Sequence, residues 1–111
     1  MNQLESFAEV IDAYRRHGWQ LRRALVRVET LVEIRESDSD LFAALPVKEA
    51  PIDALWFARS SHQNREAWEL RLVAETPYAL FEAFEPDETE EQREEVRLEM
   101  EARMRDYTAK D

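Results

Sequence analysis

The side chains best suited to act on a substrate lie in a polar hexapeptide, Ser-Ser-His-Gln-Asn-Arg, at positions 60–65. A serine nucleophile needs a base within about 3 Å, a third group that orients the base, and an oxyanion hole. Ser60, Ser61 and His62 are adjacent in a predicted turn, where neighbouring side chains point in different directions. The segment also has no glycine to form a tight elbow. We therefore interpret these residues as hydrogen-bonding turn residues and assign no catalytic residue.

Four side chains in and around this turn are candidates for binding a small ligand: Trp56, His62, Trp68 and Arg71. The indoles offer flat apolar surface, the guanidinium can stack on an aromatic ring, and the imidazole titrates near neutral pH. Trp56 is the decisive member, because it is either covered by a helix or left exposed as a contact residue. In the exposed case it would extend an apolar patch with three aromatic residues: Tyr78, Phe81 and Phe84.

The composition argues against the common metal and cofactor motifs. The chain has no cysteine, two histidines and one glycine. His17 and His62 lack the spacing of a zinc motif, and the pair Asp38 and Asp40 is not followed by the glycine of a calcium loop. The single glycine, Gly18, cannot build a glycine-rich phosphate loop. We expect no metal and no cofactor.

The chain is strongly acidic. Its 111 residues include 25 Asp and Glu against 15 Lys and Arg, which gives a net charge of −10. Twelve of the 25 acidic residues, but only five of the 15 basic ones, lie at positions 82–111. A field of this sign repels nucleic acids and anionic membranes, and it suits a basic protein partner.

One segment, residues 13–28, has no acidic residue and carries five arginines around Trp19. Arginine beside an aromatic ring can hold phosphates and stack on bases, which is typical of nucleic-acid contact. Alternatively, these arginines neutralise the acidic C-terminal segment and cover apolar surface with their stems. We favour the alternative, so nucleic acid is not an expected partner. The five are Arg15, Arg16, Arg22, Arg23 and Arg27.

Length and hydropathy predict a single domain over residues 1–111. No apolar run approaches the roughly 20 residues needed to cross a bilayer, and no secretory signal pattern opens the chain. We therefore expect a cytoplasmic protein with no membrane contact. The preference for arginine over lysine, 13 against 2, fits a bacterial genome rich in G and C.

The opening segment is the clearest helix. Its apolar residues recur at helical spacing: Leu4, Phe7, Ile11 and Tyr14. Asn2 followed by Glu5 has the spacing of a capping box, and Gly18 supplies a left-handed stop.

Residues 19–27 favour a strand, whereas two other segments fit both a helix and a strand. Residues 28–36 alternate apolar and polar side chains, yet they also fit a helical stripe. Residues 77–84 begin with the Thr-Pro order of a helix start, and a strand that ends before Pro86 is the alternative.

Residues 52–74 are predicted to form a β-hairpin. Residues 52–59 are apolar on both alternating faces, which is typical of a central strand covered on both sides. Residues 68–72 alternate apolar and charged side chains, as in a half-buried strand. A symmetric turn would place Phe57 opposite Trp68, with Trp56 on the other face of the sheet.

The last element is a long helix over residues 88–107 with glutamates in its first turn, where the helix dipole favours them. Its apolar stripe is thin, and a helix with so narrow a stripe gains by packing on a partner. The residues of this stripe are the candidate partner-binding residues: Val96, Met100, Met104 and Tyr107.

These elements predict an α+β fold, with a small antiparallel sheet of three to four strands, an N-terminal helix and a long acidic C-terminal helix. Because no catalytic constellation is present, we expect a non-enzymatic protein–protein interaction or regulatory module. It would act through the C-terminal helix and the 52–74 hairpin on another protein, a basic protein or a second copy of the chain. The alternative is a small-ligand-binding domain or small enzyme that uses the sheet face.

Overall fold

The computed structural model describes residues 2–37 and 40–110. Asp38, one member of the pair considered above, lies outside the described residues. No helix within these ranges is both long enough and apolar enough to span a bilayer. The helices are α1 (Gln3–Arg15), α2 (Val28–Glu36) and α3 (Glu90–Ala109), and the strands are β1 (Gln20–Val26), β2 (Val47–Glu49), β3 (Ala54–Ser60), β4 (Glu66–Leu72) and β5 (Tyr78–Phe84).

The five strands form one mixed sheet in the order β2-β1-β3-β4-β5. Four of them pair antiparallel, whereas β2 pairs parallel to β1. The predicted α+β class is confirmed, but the predicted sheet of three to four antiparallel strands is wrong in detail. The parallel strand arises because the segment that contains α2 crosses over and returns the chain alongside β1.

Packing decides the two segments that fit both a helix and a strand. Residues 28–36 form α2, in which Leu31 and Ile34 pack on the core while Val28 and Val32 are about half exposed. Residues 78–84 form β5, which pairs with β4 along its full length. The strand at residues 19–27 is confirmed as β1.

The sheet separates two apolar cores. On one face, Phe7 and Ile11 of α1 share a core with Phe57 of β3, and α2 extends this layer. On the other face, Met100 and Met104 of α3 share a core with Trp56, strand β4 and the end of β5. Strand β3 is therefore covered on both sides, as its two apolar faces predicted.

Strands β3 and β4 form the predicted hairpin with a different register. Ala58 pairs with Trp68, and Glu69 takes the place opposite Phe57. The predicted symmetric turn is wrong because the loop holds an odd number of residues, two of which, at positions 63 and 64, adopt positive φ angles of 58° and 63°. A shift of one residue exchanges the two faces of a strand, so Trp68 lies on the face of Trp56.

Local signals set both ends of α1. Asn2 Oδ1 accepts a hydrogen bond from the backbone N–H of Glu5 at 2.9 Å, as expected of an N-cap. Gly18 has a φ of +82°, a left-handed conformation that residues with a Cβ rarely adopt. The glycine therefore stops the helix and leads the chain into β1.

Asp53 joins several elements at one end of the sheet. It is 3% exposed, and its carboxylate accepts hydrogen bonds from Gln3 Nε2 at 2.8 Å and from Thr30 Oγ1 at 2.9 Å. The backbone N–H and Nε of Arg27 donate to the same carboxylate at 2.8 and 3.1 Å. Charge strengthens such bonds, so this one side chain fixes α1 and the start of α2 against the entry of β3.

Replacing Asp53 with alanine should destabilise the fold strongly. The change leaves the Thr30 hydroxyl and the Arg27 amide without their acceptor, and we expect the free energy of unfolding to fall by about 3 kcal/mol. Chemical denaturation followed by circular dichroism measures the loss. The exposed Asp106→Ala on α3 is the control, with an expected change of less than about 0.5 kcal/mol. A loss at Asp53 no larger than that of the control would contradict the assigned role.

Candidate functional site

The four predicted ligand-binding side chains do not meet in one site. Trp56 is fully buried and Trp68 is 4% exposed, and their ring centroids lie 5.9 Å apart beneath α3. Arg71 lies on the opposite face of the sheet, where it pairs with Leu55. His62 stands on the exposed turn between β3 and β4. The face that carries both indoles is thus occupied by a helix of the same chain.

A polar contact holds Trp56 under α3. Its Nε1 donates to Oε2 of Glu101 at 2.8 Å, and Nζ of Lys48 on β2 donates to the other carboxylate oxygen at 3.4 Å. Glu101 is 3% exposed, and a buried carboxylate needs such partners. The contact therefore ties α3 both to the central strand and to the β2 edge.

The predicted partner-binding stripe also faces the chain itself. Met100 and Met104 are 2% and 0% exposed within the α3 core, and Val96 packs against the same core. Tyr107 remains partly exposed, but its ring stacks on Tyr78 of β5 with centroids 3.8 Å apart. These four side chains anchor α3 to the sheet, so a partner of this helix would meet its acidic outer surface instead.

The first half of α3 brings an arginine into the core. Arg97 is fully buried, with its guanidinium 4.3 Å from the centre of the Trp68 ring. Its Nε donates to Glu94 at 2.9 Å, and Nη2 donates to Glu90. Arg23 of β1 forms a second ion pair with Glu94 at 2.9 Å. Burial alone would raise the pKa of Glu94, but hydrogen bonds from Arg23 and Arg97 outweigh it and lower that pKa.

Within residues 2–37 and 40–110, the sheet leaves one long edge without a neighbouring strand. Strand β5 is the outermost strand beyond β4, and all seven of its residues pair with β4 and with no other strand among the described residues. Phe81, at the centre of β5, is 57% exposed on the α1 side of the sheet, beyond the part of that face that α1 and α2 cover. An edge strand presents a row of unpaired N–H and C=O groups that another strand can bind.

The two edges of the sheet differ in how they are protected. Strand β2 is three residues long and carries Lys48 and Glu49, and short charged edges resist pairing. Strand β5 has seven residues, one charge at Glu82, and no proline within it. It therefore lacks the usual devices that prevent edge pairing.

An apolar groove lies between α1 and Glu69, on the face of the sheet that carries Phe81. Phe81 lies opposite Glu69 in the β4–β5 register, and the Tyr14 hydroxyl donates to that carboxylate. The Tyr14 ring stacks on Phe57 with centroids 4.1 Å apart. Burial, and then the hydrogen bond and charge of Glu69, raise the pKa of Tyr14. The groove has a volume of about 340 Å³, with Trp19 in its wall.

The sequence predicted a binding role for Phe81 only as part of an apolar patch around an exposed Trp56. The structure separates the two, since Trp56 is buried while Phe81 is exposed at the edge. The usable signal was the composition of residues 78–84, in which three aromatic residues that favour strands accompany a single charge.

No group of three or more histidine, aspartate or glutamate side chains among residues 2–37 and 40–110 is arranged to hold a metal ion. Comparison with protein-family models, curated proteins and solved structures returns no match. The β5 edge is therefore interpreted from its own chemistry.

The Glu94 ion pairs should make stability fall at acidic pH. A carboxyl group with a lowered folded-state pKa stabilises the fold above its unfolded value of about 4.5, and this contribution is lost as the pH falls through the folded value. We therefore expect Glu94→Gln to weaken the decline of the thermal midpoint below about pH 4.5. The exposed neighbour Glu95→Gln is the control. Parallel pH profiles for wild type and Glu94→Gln would contradict the assignment.

Proposed function

We propose that the protein is a non-enzymatic, cytoplasmic interaction module that pairs its β5 edge with a strand of a partner. One observation carries the proposal: β5 is a seven-residue, nearly uncharged edge strand with Phe81 57% exposed at its centre. Strand addition of this kind gains affinity from main-chain hydrogen bonds and specificity from alternate side chains. The interaction class inferred from the sequence is kept, while the surface moves from the α3 stripe to the sheet edge.

The sequence of β5 favours a second copy of the chain as the partner. Opposite residues of an antiparallel pair share a face of the sheet. A two-fold axis that relates two copies of β5 in a continuous sheet must therefore lie between one residue and its own copy. An axis at Phe81 uses the whole strand and matches like with like: Phe81 meets its own copy, and Ala79 meets Ala83. The bulky ends, Tyr78 and Phe84, also meet each other.

Charge supports the same register. With the axis at Phe81, Glu82 of one copy lies opposite Leu80 of the other. Moving the axis to Glu82 would place two carboxylates directly opposite each other, which is destabilising. The axis at Phe81 therefore gives a ten-stranded sheet with no like charges in direct register across the new pair.

Net charge opposes this association at long range. Two chains that each carry a net charge of −10 repel each other. At physiological ionic strength, salt screens this repulsion between charges more than about 8 Å apart. Association through an apolar strand edge should therefore strengthen as salt is added. A basic partner on the acidic outer surface of α3 would show the opposite salt dependence, which separates the two interaction modes.

Replacing Phe81 with lysine should break the dimer. The substitution removes apolar surface and places two ammonium groups opposite each other at the two-fold axis, and lysine is a natural protector of sheet edges. Light scattering after size exclusion should show the mass of the wild type rising towards twice 13.2 kDa as its concentration increases. The mass of Phe81→Lys should stay at 13.2 kDa, that of one chain. Leu98→Lys is the matched control, because Leu98 is 46% exposed on α3, and it should dimerise like wild type.

A charge-pairing experiment tests the register directly. Phe81→Glu should also be monomeric alone, whereas a mixture of Phe81→Lys and Phe81→Glu should form a heterodimer visible by native mass spectrometry. A monomeric wild type at all concentrations, or a dimer that survives Phe81→Lys, would overturn the proposal. If Phe81→Lys and Phe81→Glu each form dimers alone and their mixture shows no preference for the heterodimer, the interface lies elsewhere on the protein.

A further inference from the structure

One flank of α3 points past the β5 edge, and this outer flank carries charged side chains. Met100 faces the core, and successive helical residues turn by about 100°, so Glu99 and Glu101 lie on opposite flanks. Glu101 accepts a hydrogen bond from Trp56 of β3, which places its flank towards the centre of the sheet. Glu99 therefore points the other way, beyond β5, and Arg103 lies on the same flank one turn later.

The charges beside the β5 edge are not neutralised by the chain itself. Glu99 and Arg103 are exposed, and so is Glu82, which lies on the α3 face of β5 because it pairs with Trp68. None of the three forms an ion pair within residues 2–37 and 40–110. Two carboxylates and one guanidinium are therefore left for a partner.

Helix α3 runs along β5 in the opposite direction. Near the start of the helix, Nη2 of Arg93 donates to the carbonyl oxygen of Glu85, the residue that follows β5, at 2.8 Å. Near the end of the helix, the ring of Tyr107 stacks on that of Tyr78, the first residue of β5. Each residue of the helix thus has a defined level along the strand.

This alignment places Arg103 above Leu80. Arg103 lies four residues before Tyr107, which is about 6 Å along the helix axis. Leu80 lies two residues after Tyr78, which is about 7 Å along the strand. Both distances start from the same stacked pair of rings, so the two residues are level.

Glu99 and Glu82 are level with each other by the same measure. Each lies about 12–13 Å from the stacked rings, one along the helix and the other along the strand. In the β5 register proposed above, Leu80 lies opposite Glu82 of the other copy. Arg103 of one copy is therefore level with both Glu82 and Glu99 of the other.

The two α3 helices would also lie at the right distance to pack. Helix α3 approaches β4 and β5 alike, so its axis lies about one strand spacing, or about 5 Å, from the two-fold axis of the β5 dimer. Two copies of the helix are then about 10 Å apart and antiparallel. Packed helices are typically about 8–10 Å apart.

We propose that α3 of one copy packs against α3 of the other and that Arg103 of each copy pairs with Glu82 and Glu99 of the other. This inference rests on the proposed function, because the β5 dimer brings the two helices together. The two-fold axis generates two such clusters of opposite charge. A register shift of two residues would move each guanidinium about 7 Å from its carboxylates, so the clusters also select the register centred on Phe81.

Reversing the charge of Arg103 tests the clusters. Arg103→Glu should raise the dimer Kd about tenfold or more, because both clusters then contain only carboxylates. Arg35→Glu makes the same change of charge at an exposed position on α2, so it is the control and should dimerise like wild type. The difference between Arg103→Glu and wild type should narrow at high salt, which screens exposed charges. Analytical ultracentrifugation measures each Kd.

A complementary mixture separates direct pairing from general destabilisation. The double variant Glu82→Arg, Glu99→Arg should also dimerise poorly alone, because its clusters contain only guanidiniums. Mixed with Arg103→Glu, it should form a heterodimer visible by native mass spectrometry, since both clusters again join opposite charges. Thermal melts confirm that each variant is folded.

The outcomes distinguish this inference from the proposed function. A wild-type dimer that Phe81→Lys breaks but Arg103→Glu leaves unchanged would overturn the helix contact alone and would leave the outer flank of α3 to a different partner. A wild type that stays monomeric at every concentration would overturn both. If both folded variants fail to form the heterodimer in the mixture, the assigned pairing is wrong.

Discussion

The two-sided burial of β3 is the constraint on which the remaining architecture depends. Trp56 and Phe57 are consecutive residues whose side chains point to opposite faces, and both are fully buried. Each face of the strand therefore needs its own cover, supplied by α1 and α2 on one side and by α3 on the other. The requirement uses up the thin apolar stripe of α3 and draws Arg97 and Glu101 into the second core. There Glu94 and Glu90 pair with Nε and Nη2 of Arg97, and the Trp56 indole donates to Glu101.

The same constraint decides which surfaces are left for binding. The helices of the first face lie over the centre of the sheet, so the outer part of that face, with Phe81, stays exposed. The β5 edge has the length and composition of a pairing strand, whereas the β2 edge is short and charged. At the hairpin end, the bulge in β1 brings Arg22 and Arg23 close to the Trp68 ring. The proposed function therefore concerns a surface that folding has not used.

Local patterns predicted the elements that carry strong local signals. The helix over residues 3–15 follows from its apolar spacing, its Asn2 cap and Gly18, and β3 follows from apolar residues on both faces. Non-local packing decided the rest. Residues 28–36 and 78–84 fit two periods, and only their neighbours in the sheet chose between them. The hairpin register depended on one additional residue in a loop where Gln63 and Asn64 both have positive φ angles, and the shift placed Trp68 on the face of Trp56. The four residues predicted to bind a ligand therefore lie apart, with both tryptophans beneath α3, Arg71 on the other face and His62 on the exposed turn.

Hydrogen–deuterium exchange of the β5 backbone amides, measured across protein concentrations, tests the central claim most directly. Half of the amides in an edge strand point away from its neighbour and exchange readily unless another strand pairs with them. If β5 pairs with a second copy, its outward amides will become protected as concentration rises, while the amides of the β2 edge will exchange at an unchanged rate. Outward β5 amides that exchange equally fast at every concentration would contradict the account.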